Sequence, residues 1–367
     1  MMGFRVEDPV VALEEDPSTK ADAMRVKQIQ VNERESEPWP KVAIVLLNWN
    51  GWQETIGCLE SLRGLNYPDY HVLVVDNGST DGSSRELRAW VERNRPAEVR
   101  AGEPAPQSTA PDSRFVVLEN AENLGFSEGV NVGIKHVLTA SPSTRFVFLL
   151  NNDARLEPSA ITHCVRASLD EGAAIVGAVV HSLDGGEVLF AGARFPQELF
   201  AGGRVALVTS VPGRAGVWKS PRAEASAMLI RRDLIEARFR ECEYLLNPAL
   251  FMYLEEMDLC RWAHERGLST VMAGEAIAYH GLGRSGGALR HYYLTRNRIL
   301  LARRMLSFPQ RVAFLAWFFP FRLVQALMKF LEGKSAAANA IVSGLRDGIR
   351  SVTGRWVQHP LSREELE

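Results

Sequence analysis

Cysteine is scarce in this chain, and its placement excludes two classes of protein at once. Cys58, Cys164, Cys242 and Cys260 are the 4 cysteines among 367 residues, and they lie too far apart for a paired thiolate metal site or a secreted disulfide scaffold. They read as reduced packing residues. An excess of one charge is also missing: 42 Lys and Arg stand against 44 Asp and Glu, so nothing global points to nucleic acid as a partner. The N-terminus shows no basic-then-apolar leader, and the expected location is the cytoplasmic side. No Gly-x-Gly-x-x-Gly follows the first apolar run and no Walker lysine loop occurs, which argues against dinucleotide dehydrogenases and P-loop enzymes. No heptad repeat marks an oligomer interface.

What is present is a run of short, buried-type strands alternating with amphipathic helices. Residues 1–40 are charged and poor in aromatics, and read as a mobile arm. From Lys41 the pattern changes. Strands are expected at 42–47, 72–75, 115–118 and 146–150, with helices at about 54–63, 84–95 and 127–138 between them. A Pro- and Ala-rich stretch through Pro111 reads as a surface loop. This alternation predicts an α/β fold with a mostly parallel, Rossmann-like sheet and helices on both faces. Ligands bind beyond the carboxyl ends of such strands, so Asn48, Asp76, Asn123 and Asp153 are expected to converge on one crevice.

Each polar cluster at a strand end has two readings. Asn151-Asn152-Asp153 is a good turn sequence, yet an Asp at that edge can also hold Mg²⁺ against a phosphate. Asp76-Asn77-Gly78-Ser79 can turn the chain or accept hydrogen bonds from a ribose or a base. Gly125 and Gly129, with Asn131, open a helix whose N-terminus favours a diphosphate, although glycines also mark tight turns. Further on, Glu255, Glu256 and Asp258 begin an amphipathic helix running to about residue 266. The macrodipole favours acids there, but three within one turn raise one another's pKa, and such a carboxylate can take a proton from an attacking hydroxyl.

Four motifs in order now resemble a known family. They are Val42-Ala43-Ile44-Val45-Leu46-Leu47-Asn48-Trp49-Asn50-Gly51, Val74-Val75-Asp76-Asn77-Gly78-Ser79-Thr80-Asp81-Gly82, Asn123-Leu124-Gly125-Phe126-Ser127-Glu128-Gly129 and Leu149-Leu150-Asn151-Asn152-Asp153. Together they resemble family-2 glycosyltransferases of the GT-A fold, closest to rhamnosyltransferase-like members, over residues 41–304. The resemblance implies an inverting transfer from a nucleotide-diphosphate sugar, with deoxythymidine-diphosphate rhamnose favoured and a uridine-diphosphate sugar next, to a cell-envelope glycan or lipid-linked acceptor. It implies a donor site of Asn48, Asp76, Asn123, Gly125, Asn131, Asn152 and Asp153. It implies Glu256 as general base, in place of the family's usual Asp, with Glu255 and Asp258 orienting the helix or the acceptor. A divalent ion, Mg²⁺ or Mn²⁺, would be held by Asp153 and His280; the family's Asp-x-Asp is reduced here, because Asn151 replaces its first acid. Arg284, in a Gly-rich loop, is expected to meet the diphosphate. The remaining classes in view are a non-catalytic nucleotide-sugar-binding protein of the same fold and another nucleotide-dependent α/β enzyme.

These readings give a catalytic region over 41–290, with a donor half at 41–155 and an acceptor half at 156–290, and a helical extension over 291–367. As far as Arg355 the extension carries about a dozen Lys and Arg against Glu332 and Asp347, a bias that suits anionic surfaces. Its apolar stretch, 312–331, is interrupted by Pro320 and Arg322. It reads as an interfacial helix, peripheral on the inner face of the cell membrane, or as a helix packed on the catalytic domain.

Overall fold

The computed structural model describes residues 39–94, 114–195, 199, 216–281 and 287–356. The chain divides into two units, Met1–Pro40 and Lys41–Glu367. The expected N-terminal arm, the Pro- and Ala-rich loop and Arg284 lie outside the described residues.

The donor half is built as the apolar runs require. Strands β1 (Val42–Asn48), β2 (Tyr70–Asp76), β3 (Phe115–Glu119) and β4 (Phe146–Asn151) pair in parallel, with helices α1 (Trp52–Arg63), α2 (Ser83–Arg93) and α3 (Gly125–Ala140) between them. Strands β1, β2 and β4 are almost wholly buried, as expected where helices cover both faces of a parallel sheet. The register pairs Asn48 with Asp76, Asp76 with Glu119, and Leu47 with Asn151. The polar strand ends therefore share one edge of the sheet.

The second half departs from a simple parallel reading. Short β5 (Ala154–Leu156) and helix α4 (Ala160–Glu171) lead to β6 (Ile175–Ser182), β7 (Val188–Phe190) and β8 (Val217–Lys219). Strand β9 (Ala227–Arg231) then enters antiparallel between β4 and β6. Helices α5 (Arg232–Cys242) and α6 (Glu255–Glu265) precede β10 (Thr270–His280). The path across the sheet is β3-β2-β1-β4-β9-β6-β10-β5, with β7 on β6 and β8 on β10. Strand β10 continues past a register shift between Ala273 and Ile277. A bulge of this kind hides the alternation on which a sequence reading depends.

The last three helices, α7 (Ala288–Met305), α8 (Phe308–Leu331) and α9 (Ser335–Ile349), fall in the same unit as the sheet. Helix α8 begins with a capping box between Ser307 and Gln310 and runs through Pro320 without ending. Pro320 lies on its exposed side, where a displaced carbonyl can turn to water. The inner face, Phe314, Phe318, Arg322 and Ala326, repeats every fourth residue and is buried. All four cysteines are free, and burial pushes the Cys260 thiol up to about 12.

Of the two roles expected of Asp258, its contacts suit the orienting of its helix. It is fully buried, with Oδ2 accepting from Arg238 Nη2 at 2.5 Å and Arg304 Nη1 2.8 Å from Oδ1. Burial raises its pKa against the pull of both arginines. The side chain thus locks α6 to α5 and α7. Asp258→Ala leaves Arg238 buried without its partner, and a stability loss of about 3–5 kcal/mol is expected. Urea denaturation of the variant measures it; a loss below about 1 kcal/mol would remove the lock.

Candidate active site

A single cleft of about 2170 Å³ opens along the carboxyl edge of the sheet and continues to the C-terminal helices. Small-molecule sites usually occupy about 300–1,000 Å³, so this one has room for two substrates. Asn123, Gly125, Asn152, Asp153, Glu255, Glu256 and His280 all line it. The structure therefore brings together residues from the donor half and the acceptor half.

Three expected donor residues lie elsewhere. Asn48 and Asp76 are buried and do not line the cleft. Asn48 Nδ2 donates to Asp76 Oδ1 at 2.6 Å, and Ser79 Oγ donates to the same oxygen at 2.5 Å, so the pair shapes the turn beneath the cleft. Asn131 is also fully buried. Its Oδ1 accepts from the backbone N–H groups of Leu245 and Leu246, and its Nδ2 donates to the Leu246 carbonyl, which ties α3 to the acceptor half. Its second Nδ2 hydrogen goes to Glu128 Oε2 at 3.0 Å, so none of its four hydrogen-bonding positions is left for a ligand.

The glycines of α3 serve contact between elements. A Cβ on Gly129 would sit 2.6 Å from Leu47 Cδ1, so this glycine seats the helix on the sheet. Gly125 has φ +82°, and a Cβ there would meet the Phe251 ring at 2.6 Å. Ser127 N–H donates to the Phe251 carbonyl at 3.0 Å. The start of α3 thus touches the segment that carries the acids.

Asp153 and His280 meet as the motif pair requires. His280 Nε2 lies 3.0 Å from Asp153 Oδ1 and 3.0 Å from Asn151 Nδ2. Strand pairing brings them together, because β10 runs antiparallel to β5 and sets His280 opposite Ala154. Burial lowers the His280 pKa, but the hydrogen bond and charge of Asp153 outweigh it and the net direction is up. Asn152 Nδ2 donates to Thr55 Oγ1 at 3.0 Å, anchoring the turn to α1. Among the described residues no group of three or more His, Cys, Asp and Glu gathers around one point. One carboxylate and one imidazole still form a fitting partial donor set for a hard ion completed by substrate oxygens.

The acid pair is held by unusual backbone. Phe251, Tyr253 and Leu254 have φ values of 64°, 66° and 70°, a region that L-residues enter at a cost of about 1–3 kcal/mol each. Asn297 Nδ2 donates to the carbonyls of Leu250, Met252 and Tyr253 at 2.8–3.0 Å. Arg296 adds bonds to the carbonyls of Ala249 and Leu250. Both side chains are fully buried, so these residues of the basic C-terminal helix act as a clamp.

Glu255 and Glu256 differ in their surroundings. Glu256 Oε1 accepts from Arg222 Nη1 at 2.6 Å in a buried ion pair. Glu255 has a buried Oε2 without a hydrogen-bond partner among the described residues. Burial first, and the charge of Glu256 second, hold its pKa well above the usual carboxylate range. The Arg222 guanidinium thus stands against the Glu256 carboxylate, while burial favours the protonated form of Glu255.

Arg222, Glu224, Asn77 and Asn297 have no counterpart in the motif reading. Arg222 and Glu224 line the cleft, and their signal is two charges set among small residues just before a buried strand. Asn77 bonds Asn123 and the Gly125 carbonyl, but as part of a turn sequence it gives no separate signal.

Comparison with known proteins gives a consistent result. The model of "Glycosyl transferase family 2" matches residues 43–239, and Glu255, Glu256 and His280 lie beyond that span. No curated protein matches. Among solved structures, the mannosyltransferase PcManGT from Pyrobaculum calidifontis, in complex with GDP-Man and Mn²⁺, superposes with a TM-score of 0.50 at 14% identity, over 90% of this chain and 96% of that one. S. aureus TarS 1-349, in complex with UDP-GlcNAc, gives 0.52 at 14% identity, over 85% and 81%. These likenesses are of fold.

Two outcomes follow from the acid pair and its clamp. Asn297→Ala removes three bonds to buried carbonyls, and a loss of about 2–4 kcal/mol is expected in chemical denaturation; an unchanged midpoint would dismiss the clamp. Because Glu255 keeps its proton in the folded state at pH values where the unfolded chain has lost it, its contribution to stability falls as pH rises above the usual carboxylate range, by about 1.4 kcal/mol per pH unit. Glu255→Gln should abolish that slope, so its Tm advantage over the parent grows between pH 5 and pH 8 (about 3 pH units). Parallel Tm profiles would show that Glu255 ionises normally.

Proposed function

The chain belongs to glycosyl transferase family 2 and is a glycosyltransferase, and on that premise we propose an inverting transfer to a hydroxyl of a cell-envelope glycan or lipid-linked acceptor. The donor is a nucleotide-diphosphate sugar. Deoxythymidine-diphosphate rhamnose is favoured by the motif resemblance, and a uridine-diphosphate sugar is second. Fold neighbours solved with GDP-Man and with UDP-GlcNAc support the nucleotide-sugar class. The observation that carries the reading is one cleft lined by both Asp153–His280 and a Glu256 paired with Arg222.

The residues divide the work between two substrates. Asn123, Gly125 and Asn152 line the donor side of the cleft. Asp153 and His280 would hold Mg²⁺ or Mn²⁺, which supplies Lewis acidity toward the departing diphosphate when bound. Glu256 takes the proton of the acceptor hydroxyl as its oxygen attacks the anomeric carbon. Arg222 fixes the Glu256 carboxylate in the cleft wall. Glu255 keeps its own proton and can donate a hydrogen bond to the acceptor. A peripheral position on the inner face of the cell membrane belongs to the same proposal, and the exposed apolar side of α8 supports it.

Glutamine replacement separates these roles. Glu256→Gln cannot accept a proton, and kcat should fall by about 10²–10⁴-fold with donor binding by calorimetry preserved. Glu255→Gln mimics a protonated acid and should stay within about tenfold of the parent. Equal losses in the two variants would reject the division of labour. Absence of any nucleotide-sugar binding, with Mn²⁺ present, would reject the donor site.

A further inference from the structure

One short segment joins the acid pair to the Asp153–His280 pair. At its start, Arg222 Nη1 donates to Glu256 Oε1 at 2.6 Å. At its end, the Ser226 carbonyl accepts from the Asn151 N–H at 3.1 Å, and Asn151 Nδ2 lies 3.0 Å from His280 Nε2. The middle residue is Glu224, within about 7 Å of chain reach from either anchor. The backbone around it is fixed. Ser220 Oγ donates to the Arg222 carbonyl at 2.6 Å, and Ala227 N–H donates to the Glu224 carbonyl at 3.2 Å where β9 begins.

Arg222, Ala223, Ala225 and Ser226 are buried, whereas Glu224 is half-buried and lines the cleft. Its neighbours on either side are alanines, too short to cover it. The carboxylate has no hydrogen bond or ion pair among the described residues. Its charge is felt at both ends of the segment. On His280, burial pulls down and Asp153 pulls up, and Glu224 adds to the upward pull; on Glu255 it adds to the larger effects of burial and of Glu256. A carboxylate partly withdrawn from water without a partner is unfavourable unless a ligand brings donors to it. Among the described residues no third acid gathers with Asp153 and His280 around one point, so Glu224 does not complete that pair as a metal ligand.

We infer that Glu224 binds hydroxyls of the sugar being transferred and makes the cleft selective for neutral sugars over uronates. This rests on the glycosyl-transfer reading, in which the sugar lies between a diphosphate at Asp153–His280 and a hydroxyl at Glu256. The segment that spans those two places presents one unpaired carboxylate to the space between them. A carboxylate accepts hydrogen bonds and donates none, so it suits a ring that offers hydroxyl donors. A sugar carrying its own carboxylate meets a like charge there.

Calorimetry with Mn²⁺ tests this on the full chain, using uridine, deoxythymidine and guanosine diphosphates, each alone and as its glucose, rhamnose and glucuronate derivatives. For the diphosphate that binds, the parent should hold a neutral-sugar derivative about tenfold or more tighter than the glucuronate. Glu224→Gln should bring the two within about threefold. Glu224→Ala should lower neutral-sugar affinity by about tenfold or more, toward that of the bare diphosphate. Bare-diphosphate affinity and Tm should stay unchanged in both variants. Unchanged neutral-sugar affinity in Glu224→Ala, or undiminished discrimination in Glu224→Gln, would overturn the assignment. So would a loss of bare-diphosphate affinity in the same proportion, because Glu224 would then serve the nucleotide grip or the fold. Failure of all three diphosphates to bind the parent is a separate result, and it rejects the donor site on which the assignment rests.

Discussion

One buried amide, whose two N–H groups at Asn297 Nδ2 are shared among the carbonyls of Leu250, Met252 and Tyr253, is the constraint on which the rest of the site depends. It holds a segment in which three side-chain-bearing residues take left-handed backbone. Without such over-determination those conformations relax, and the two glutamates that follow would leave the cleft wall. The same helix supplies Arg296 to the loop and Arg304 to Asp258. The C-terminal helices are therefore part of the catalytic structure as well as a route to a surface.

Electrostatics divides the cleft into regions with different preferences. At the sheet edge, Asp153 and His280 offer one carboxylate and one imidazole. In the middle, two adjacent glutamates share little solvent, and the arrangement settles by pairing one with Arg222 and leaving a proton on the other. Toward α7 and α8 the lining turns basic, with Arg290, Arg298, Arg322 and Lys329.

The parallel donor half was legible in the sequence because β1, β2 and β4 are buried on both faces and so read as unbroken apolar runs. Asp153 and His280 were legible as a pair only through the motif resemblance, since 127 residues separate them and strand pairing joins them. Asn131 misled: an Asn near a helix start reads as a ligand, and only the tertiary fold shows that Leu245 and Leu246 consume its donors and acceptors. Arg222 was harder to read for the opposite reason, because two charges among small residues in an irregular stretch have no period to mark them. Basic character after residue 291 pointed to a surface, yet Arg296 is fully buried, and composition does not distinguish an inward arginine from an outward one.

The contact between Gly125 and Phe251 has a consequence for how this sequence can change. The donor helix begins where the acceptor loop places its aromatic ring, and there is no space between them for a methyl group. Phe251 also stacks on Tyr293 at 5.3 Å, so displacing the ring would cost that contact as well. A side chain at position 125 thus demands a smaller residue at 251, and a smaller residue there withdraws support from Tyr293. The parts that recognise the two substrates are separate in sequence but cannot drift apart independently, and a new acceptor specificity built on this scaffold has to be compatible with the existing donor grip.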